Sequence, residues 1–228
     1  RTWRPLLDVR LFRDPYFGSG SLAIFLLFFA TFGSFFMCVQ YVAYVFGYGP
    51  LDSGLALLPI GAALLPAALL GPPVARRIGL FATEAVGMLV TAVGLVGLSR
   101  LDVDASFASF AAPLMVFGFG LGLCMAPATE AILAALPAAK QGVASAVNDT
   151  ARELGGALGI GVIGSVFNSG YRSAVDSVTG LSSELMVAVR DSPATGLVVG
   201  GSSPDVVVAV RQSFAHGYRI ALIVAAVV

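Results

Sequence analysis

The chain has 228 residues, 57% of them hydrophobic and only 11% charged, with a formal net charge of zero and a mean hydropathy of +0.91. An average soluble domain carries roughly twice that charge, and a neutral chain offers no basic footprint for nucleic acid. Cys38 and Cys124 sit inside apolar runs, so no disulfide framework is expected; His216 is the only histidine, so neither a catalytic triad nor a metal site can be assembled and an enzyme is not expected.

Residues 1–16, RTWRPLLDVRLFRDPY, read as a basic amphipathic linker. Arg1, Arg4, Arg10 and Arg13 precede the first apolar run and mark that side as cytoplasmic. A first span is expected over 17–46. In it Phe25, Phe28, Phe29, Phe32, Phe35 and Phe36 recur at helical spacing, as the aromatic wall of a drug cavity or as ordinary packing and lipid contact. Gln40 and Tyr41, polar near the far end, are better cavity candidates. Residues 48–54 read as a turn from their Gly and Pro content. A second span then runs to about Leu70 across Pro59 and Pro66, which a membrane helix tolerates, and 71–79 return the chain to the basic side.

A third span is expected over about 80–99, with Glu84 near its start, and a fourth over about 107–136, with Gly118, Gly120, Gly122, Pro127 and Glu130. The run Gly118-Phe-Gly-Leu-Gly122 follows no strand, so it reads as a helix-packing surface rather than a nucleotide loop. The fifth span, 142–167, is the most polar. At about 100° per residue, Ser145, Asn148, Asp149, Arg152, Gly156 and Gly159 share one face, and Gly155 lies beside them; these glycines allow close helix approach. Residues 169–212 are expected to be a long extracellular loop with a short helix over 182–190. A sixth span begins near Ser213 and stops at Val228. The chain opens on Arg1 and ends within an apolar run, so we expect the C-terminal part of a longer protein.

Arg76, Arg77, Glu84, Glu130, Lys140, Asp149, Arg152 and Glu153 gather at the inner ends of spans three to five and the loops joining them. Counting back from Phe167 puts Asp149 just inside the apolar layer, with Arg152 and Glu153 about a turn deeper. Ionisable groups at that depth face protein or water. They form either a proton-carrying set or a structural salt-bridge network that holds helix ends together.

Three runs carry a resemblance: QYVAYVFGYGPLDSGLALLP (40–59), GFGLGLCMAPATEAILAALP (118–137) and GVASAVNDTARELGGALGIGVIGSV (142–166). Together they resemble the major facilitator superfamily, and within it the fourteen-span drug:proton antiporters of the EmrB/QacA type. The resemblance implies an all-α polytopic bundle whose six spans form the C-terminal half of the fold, in the plasma membrane. It further implies efflux of hydrophobic or cationic small molecules by alternating access, driven by the proton gradient with no other cofactor. The implied partners are substrate, protons, the lipid bilayer and the N-terminal half of the same transporter. Asp149 and Glu153 match positions where such exporters often carry carboxylates, and they are the groups expected to couple protons; Arg152, Glu130, Glu84 and Arg77 complete the charge set, and Gln40, Tyr41 and Asn148 the cavity wall. One departure is that 74–79 read Val-Ala-Arg-Arg-Ile-Gly, with Arg76 where the family carries Asp, although Arg77 and Gly79 keep their places. The alternative is a sensor or scaffold of the same fold that moves nothing.

Overall fold

The computed structural model describes residues 9–178 and 182–228, and within them every regular element is helical. Arg1, Trp3 and Arg4 of the expected linker lie outside the described residues. A 3₁₀ turn at Val9–Arg13 leads to Asp14, whose carboxylate accepts from the N–H groups of Tyr16 (3.0 Å) and Phe17 (3.1 Å). With Pro15 at the first helical position, where a missing N–H does no harm, α1 (Pro15–Tyr44) begins inside the segment read as linker.

The second span departs from expectation at both ends. Gly47, at φ +70°, makes a shorter turn, and Pro50 already opens α2 (Pro50–Ala56); only Leu57 separates it from α3 (Leu58–Ile78). α3 does not stop near Leu70 but continues through Pro72 and Pro73. What ends it is Gly79, at φ +91°, a conformation that L side chains rarely adopt and the whole of the link to α4 (Leu80–Ser99). Ser106 caps α5 (Phe107–Ala134) by accepting from Ser109 N–H. At its other end the Gln141 amide donates to the carbonyls of Leu133 and Leu136, both at 2.9 Å, and leads into α6 (Gln141–Val175).

The expected long loop after residue 169 is corrected. α6 extends to Val175, followed by α7 (Ser183–Asp191), α8 (Pro193–Val199) and α9 (Pro204–Val227), which starts nine residues before the expected sixth span. Ser182 and Ser192 cap the two short helices, and Val175, Val189, Val206 and Val210 are buried beneath them. Tyr171 ties the assembly by donating to the Val189 carbonyl at 2.7 Å. Low hydropathy reflects short amphipathic helices here, not irregular chain.

Four segments are long and apolar enough to cross a membrane: α1, α2 with α3, α4 and α5. α6 and α9 have the length, 35 and 24 residues, but are more polar. α1 pairs with α6 and α3 with α5 through glycines set against backbone. A Cβ on Gly155 or Gly159 would meet the carbonyl oxygens of Phe25 or Phe29; one on Gly118 or Gly122 would meet those of Ile60 or Leu64. All four expected packing positions in these pairs therefore lie at close helix crossings. Gly156 faces the Phe32 ring, with a Cβ contact of 3.2 Å.

The end of the bundle away from Arg76, Arg77 and Lys140 is closed by aromatic rings. Tyr41 lies parallel to Phe110 (5.7 Å between ring centroids) and contacts Phe214 and Tyr218, and its hydroxyl donates to the Asp102 carbonyl at 2.7 Å. At the same end Arg219 pairs with Asp102 at 2.9 Å, both side chains largely exposed at the loop. Exposed pairs are worth about 0–1 kcal/mol, whereas the loss of a buried hydrogen bond removes about 1 kcal/mol or more. Arg219→Ala is therefore expected to leave the detergent unfolding midpoint nearly unchanged and Tyr41→Phe to lower it. A larger loss for Arg219→Ala would make the ion pair the principal fastening of this end.

Candidate functional site

Three polar side chains, Thr129, Glu130 and Arg152, meet in an otherwise apolar cleft of about 470 Å³ between α3, α5 and α6. α3 contributes Leu64; α5 contributes Met125, Thr129, Glu130 and Leu133; α6 contributes Arg152. Helical spacing puts Met125, Thr129 and Leu133 in one row along α5, while Gly122 at the head of that row lets α3 come against α5. The result is an apolar wall interrupted by one cation, one carboxylate and one hydroxyl.

Arg152 is held by neutral groups alone. Its Nη2 donates to Thr129 Oγ1 at 3.1 Å, and its guanidinium carbon stands 5.1 Å from the centroid of the Phe28 ring. Its Nε is buried with no hydrogen-bond partner. Glu130 is exposed in the same lining and lies beyond ion-pair distance of Arg152.

The expected salt-bridge network is absent among the described residues. Neither Arg76, Arg77, Glu84, Glu130, Lys140, Asp149, Arg152 nor Glu153 forms an ion pair with any described residue. Arg219 and Asp102, and Arg190 and Asp176, do pair, at the other end. The reason is rotational. The face of α6 read as uniformly polar is split, with Asn148, Gly155, Gly156 and Gly159 turned into the bundle and Ser145, Asp149 and Glu153 exposed. Arg152 lies between these arcs and reaches α5, so its carboxylate neighbours in sequence point away from it. Glu84 is 4% exposed on α4, and its Oε1 is buried without a hydrogen-bond partner. Arg77 is exposed at the end of α3.

Of the expected cavity residues, Tyr41 is corrected: it is wholly buried and its hydroxyl is satisfied, so it closes the bundle instead of lining a cavity. Asn148 is buried on the bundle side of α6 with Oδ1 unpartnered, outside the cleft lining. Gln40 is half-buried near the far end of α1, away from the cleft. Thr129 and Phe28 are the groups that sequence reasoning missed as partners of Arg152. Thr129 stands beside Glu130, which was the available signal, whereas nothing separated Phe28 from its neighbouring phenylalanines.

A roomier groove of about 610 Å³ runs between α1 and α6, walled by Phe12, Leu22, Phe25, Val143 and Leu154. It holds no charged side chain, so it offers volume without recognition chemistry.

The family model of the Major Facilitator Superfamily matches residues 1–160. The chain is 33% identical over 204 residues to the multidrug efflux pump LfrA of Mycolicibacterium smegmatis, covering 90% of this chain and 40% of that protein. It is 30% identical over 241 residues to the multidrug resistance protein Stp of Mycobacterium tuberculosis, covering 99% and 44%. It is 28% identical over 242 residues to the tetracenomycin C resistance and export protein of Streptomyces glaucescens, covering 100% and 45%. The chain thus spans less than half the length of these curated relatives. This kinship and the membrane-length helices make it a multi-pass protein of the plasma membrane, in a family of transporters and not of enzymes. It belongs to the Major Facilitator Superfamily.

Proposed function

We propose that this chain is the C-terminal, six-span half of a fourteen-span, proton-coupled exporter of hydrophobic or cationic small molecules, working by alternating access. The observation that carries the reading is the amphipathic cleft between α3, α5 and α6. It is wide enough for part of a drug-sized molecule and has a cation and a carboxylate on an apolar wall. In this reading α6 and α9 cross the membrane despite their polarity, because their polar residues meet protein instead of lipid. The efflux and resistance relatives support a drug as cargo.

Charge placement supports a missing partner. Asp149 and Glu153 stand exposed on α6 without ion pairs, and charges at membrane depth need protein or water around them. The N-terminal half of the transporter would supply that environment and the second wall of the cleft. Protons drive the cycle, with no other cofactor. Asp149 and Glu153 carry the coupling, Arg152 modulates it, and Glu130 and Glu84 are secondary proton sites.

The test uses the full-length transporter in everted vesicles, with a fluorescent dye reporting the pH gradient while cationic drugs are added. Drug-dependent proton release is expected. Its absence for every drug, with the protein folded and inserted, would leave a fold without this activity.

A further inference from the structure

The cleft carries a cation that no described residue of this chain compensates. A guanidinium removed from water is stable only when paired and hydrogen-bonded, yet Arg152 has one hydroxyl, one aromatic ring and a buried Nε–H with no acceptor. No carboxylate of the described residues lies within ion-pair distance of it, Glu130 included. Asp149 and Glu153, three residues before Arg152 and one after, are turned to the exposed side of α6 and leave it unpaired. Arg152 reaches instead across to α5, into the cleft lining.

We infer that the cleft selects substrates bearing an oxyanion, a carboxylate or a phenolate, which the Arg152 guanidinium receives while the apolar body lies against Leu64, Met125 and Leu133. The planar fork of a guanidinium matches a carboxylate in geometry as well as charge. The apolar wall strengthens the attraction by lowering the local dielectric. Thr129 is a positioning residue that holds Nη2 and so aims the fork. Glu130, in the same lining, is left to receive an amine, so molecules carrying both an acid and a base fit the cleft best. The inference rests on the exporter reading and narrows its substrate class.

The experiment compares norfloxacin, which has a free carboxylate, with its ethyl ester, which keeps the ring system and the amine. Ethidium, a cation without oxygen, serves as the reference dye, all in vesicles holding the full-length transporter. Hydrogen bonds to charged groups are worth enough that the acid should exceed the ester in kcat/KM by about tenfold or more. Arg152→Gln should collapse that ratio toward one, and Arg152→Lys, which keeps the charge without the fork, should leave it intermediate. An equal fall for acid, ester and ethidium would overturn the inference, because Arg152 would then act on coupling and not on selection. A wild type that exports ethidium yet prefers the ester or shows no preference overturns it without any variant, so a misfolded Arg152→Gln does not protect it. If the wild type exports none of the three, norfloxacin included, this inference is overturned, while the exporter reading itself is decided by the wider set of drugs in the pH-gradient test.

Discussion

Gly159→Ala is expected to break the pairing of α1 with α6 and to remove most of the folded protein. A Cβ built at Gly159 meets the carbonyl oxygen of Phe29, with its carbonyl carbon and Cα at 2.8 Å, so the obstacle is backbone and no rotamer can relieve it. Overpacking of this kind costs about 1–3 kcal/mol, and more where backbone must move. The same helix supplies its own control. Gly164 has nothing within 4 Å of a built Cβ, so Gly164→Ala adds helix propensity at no steric cost. Fluorescence-detected gel filtration of the two variants should give a reduced, heat-labile peak for the first and a wild-type peak for the second. Equal behaviour would mean that the α1–α6 crossing is looser than its geometry and that other contacts fix the bundle.

That contrast also marks what could be read from the sequence. Glycine spacing on α6 and α5 gave the packing positions, because small residues at such intervals serve few other purposes in an apolar helix. The extents of α1, α4 and α5 followed from apolar length to within a few residues, while the caps at Asp14 and Ser106 that set the starts of α1 and α5 went unread. Where polar or proline-rich sequence was taken as irregular chain, the reading failed: α3 continues through Pro72 and Pro73, and beside the expected short helix (α7) the supposed loop holds α8 and the start of α9.

The site was legible in part. Arg152 and Glu130 were identified, and they share one cleft. Tyr41 was misread because its hydroxyl finds a carbonyl 61 residues away, at Asp102, a contact that no local pattern announces. The charge network was misread for a different reason. Nearness along a helix axis says little about rotation around it, and a small rotational error separates Arg152 from both carboxylates beside it in sequence.

That separation bears on the largest functional effect we expect, which is the loss of drug-dependent proton release in Asp149→Asn and Glu153→Gln. Were these carboxylates parts of a buried salt-bridge network, neutralising one would leave its partner charge stranded and lower stability. Neither has a partner among the described residues of this chain, and both are exposed, so the amide variants should fold and insert as the wild type does. Their defect should appear instead in the cycle. An amide is a fixed imitation of the protonated carboxyl, so a transporter that must load and release a proton there stalls in one half of its alternation. The pH-gradient dye should then show release at background level for whichever residue carries the proton, while substrate binding, measured by equilibrium quenching, persists. If both variants release protons normally, the carrier moves to Glu84, whose buried, unpartnered Oε1 makes it the next group to replace with glutamine. If both variants unfold, the missing half of the transporter supplies their salt-bridge partners, and the structural role is the one they play.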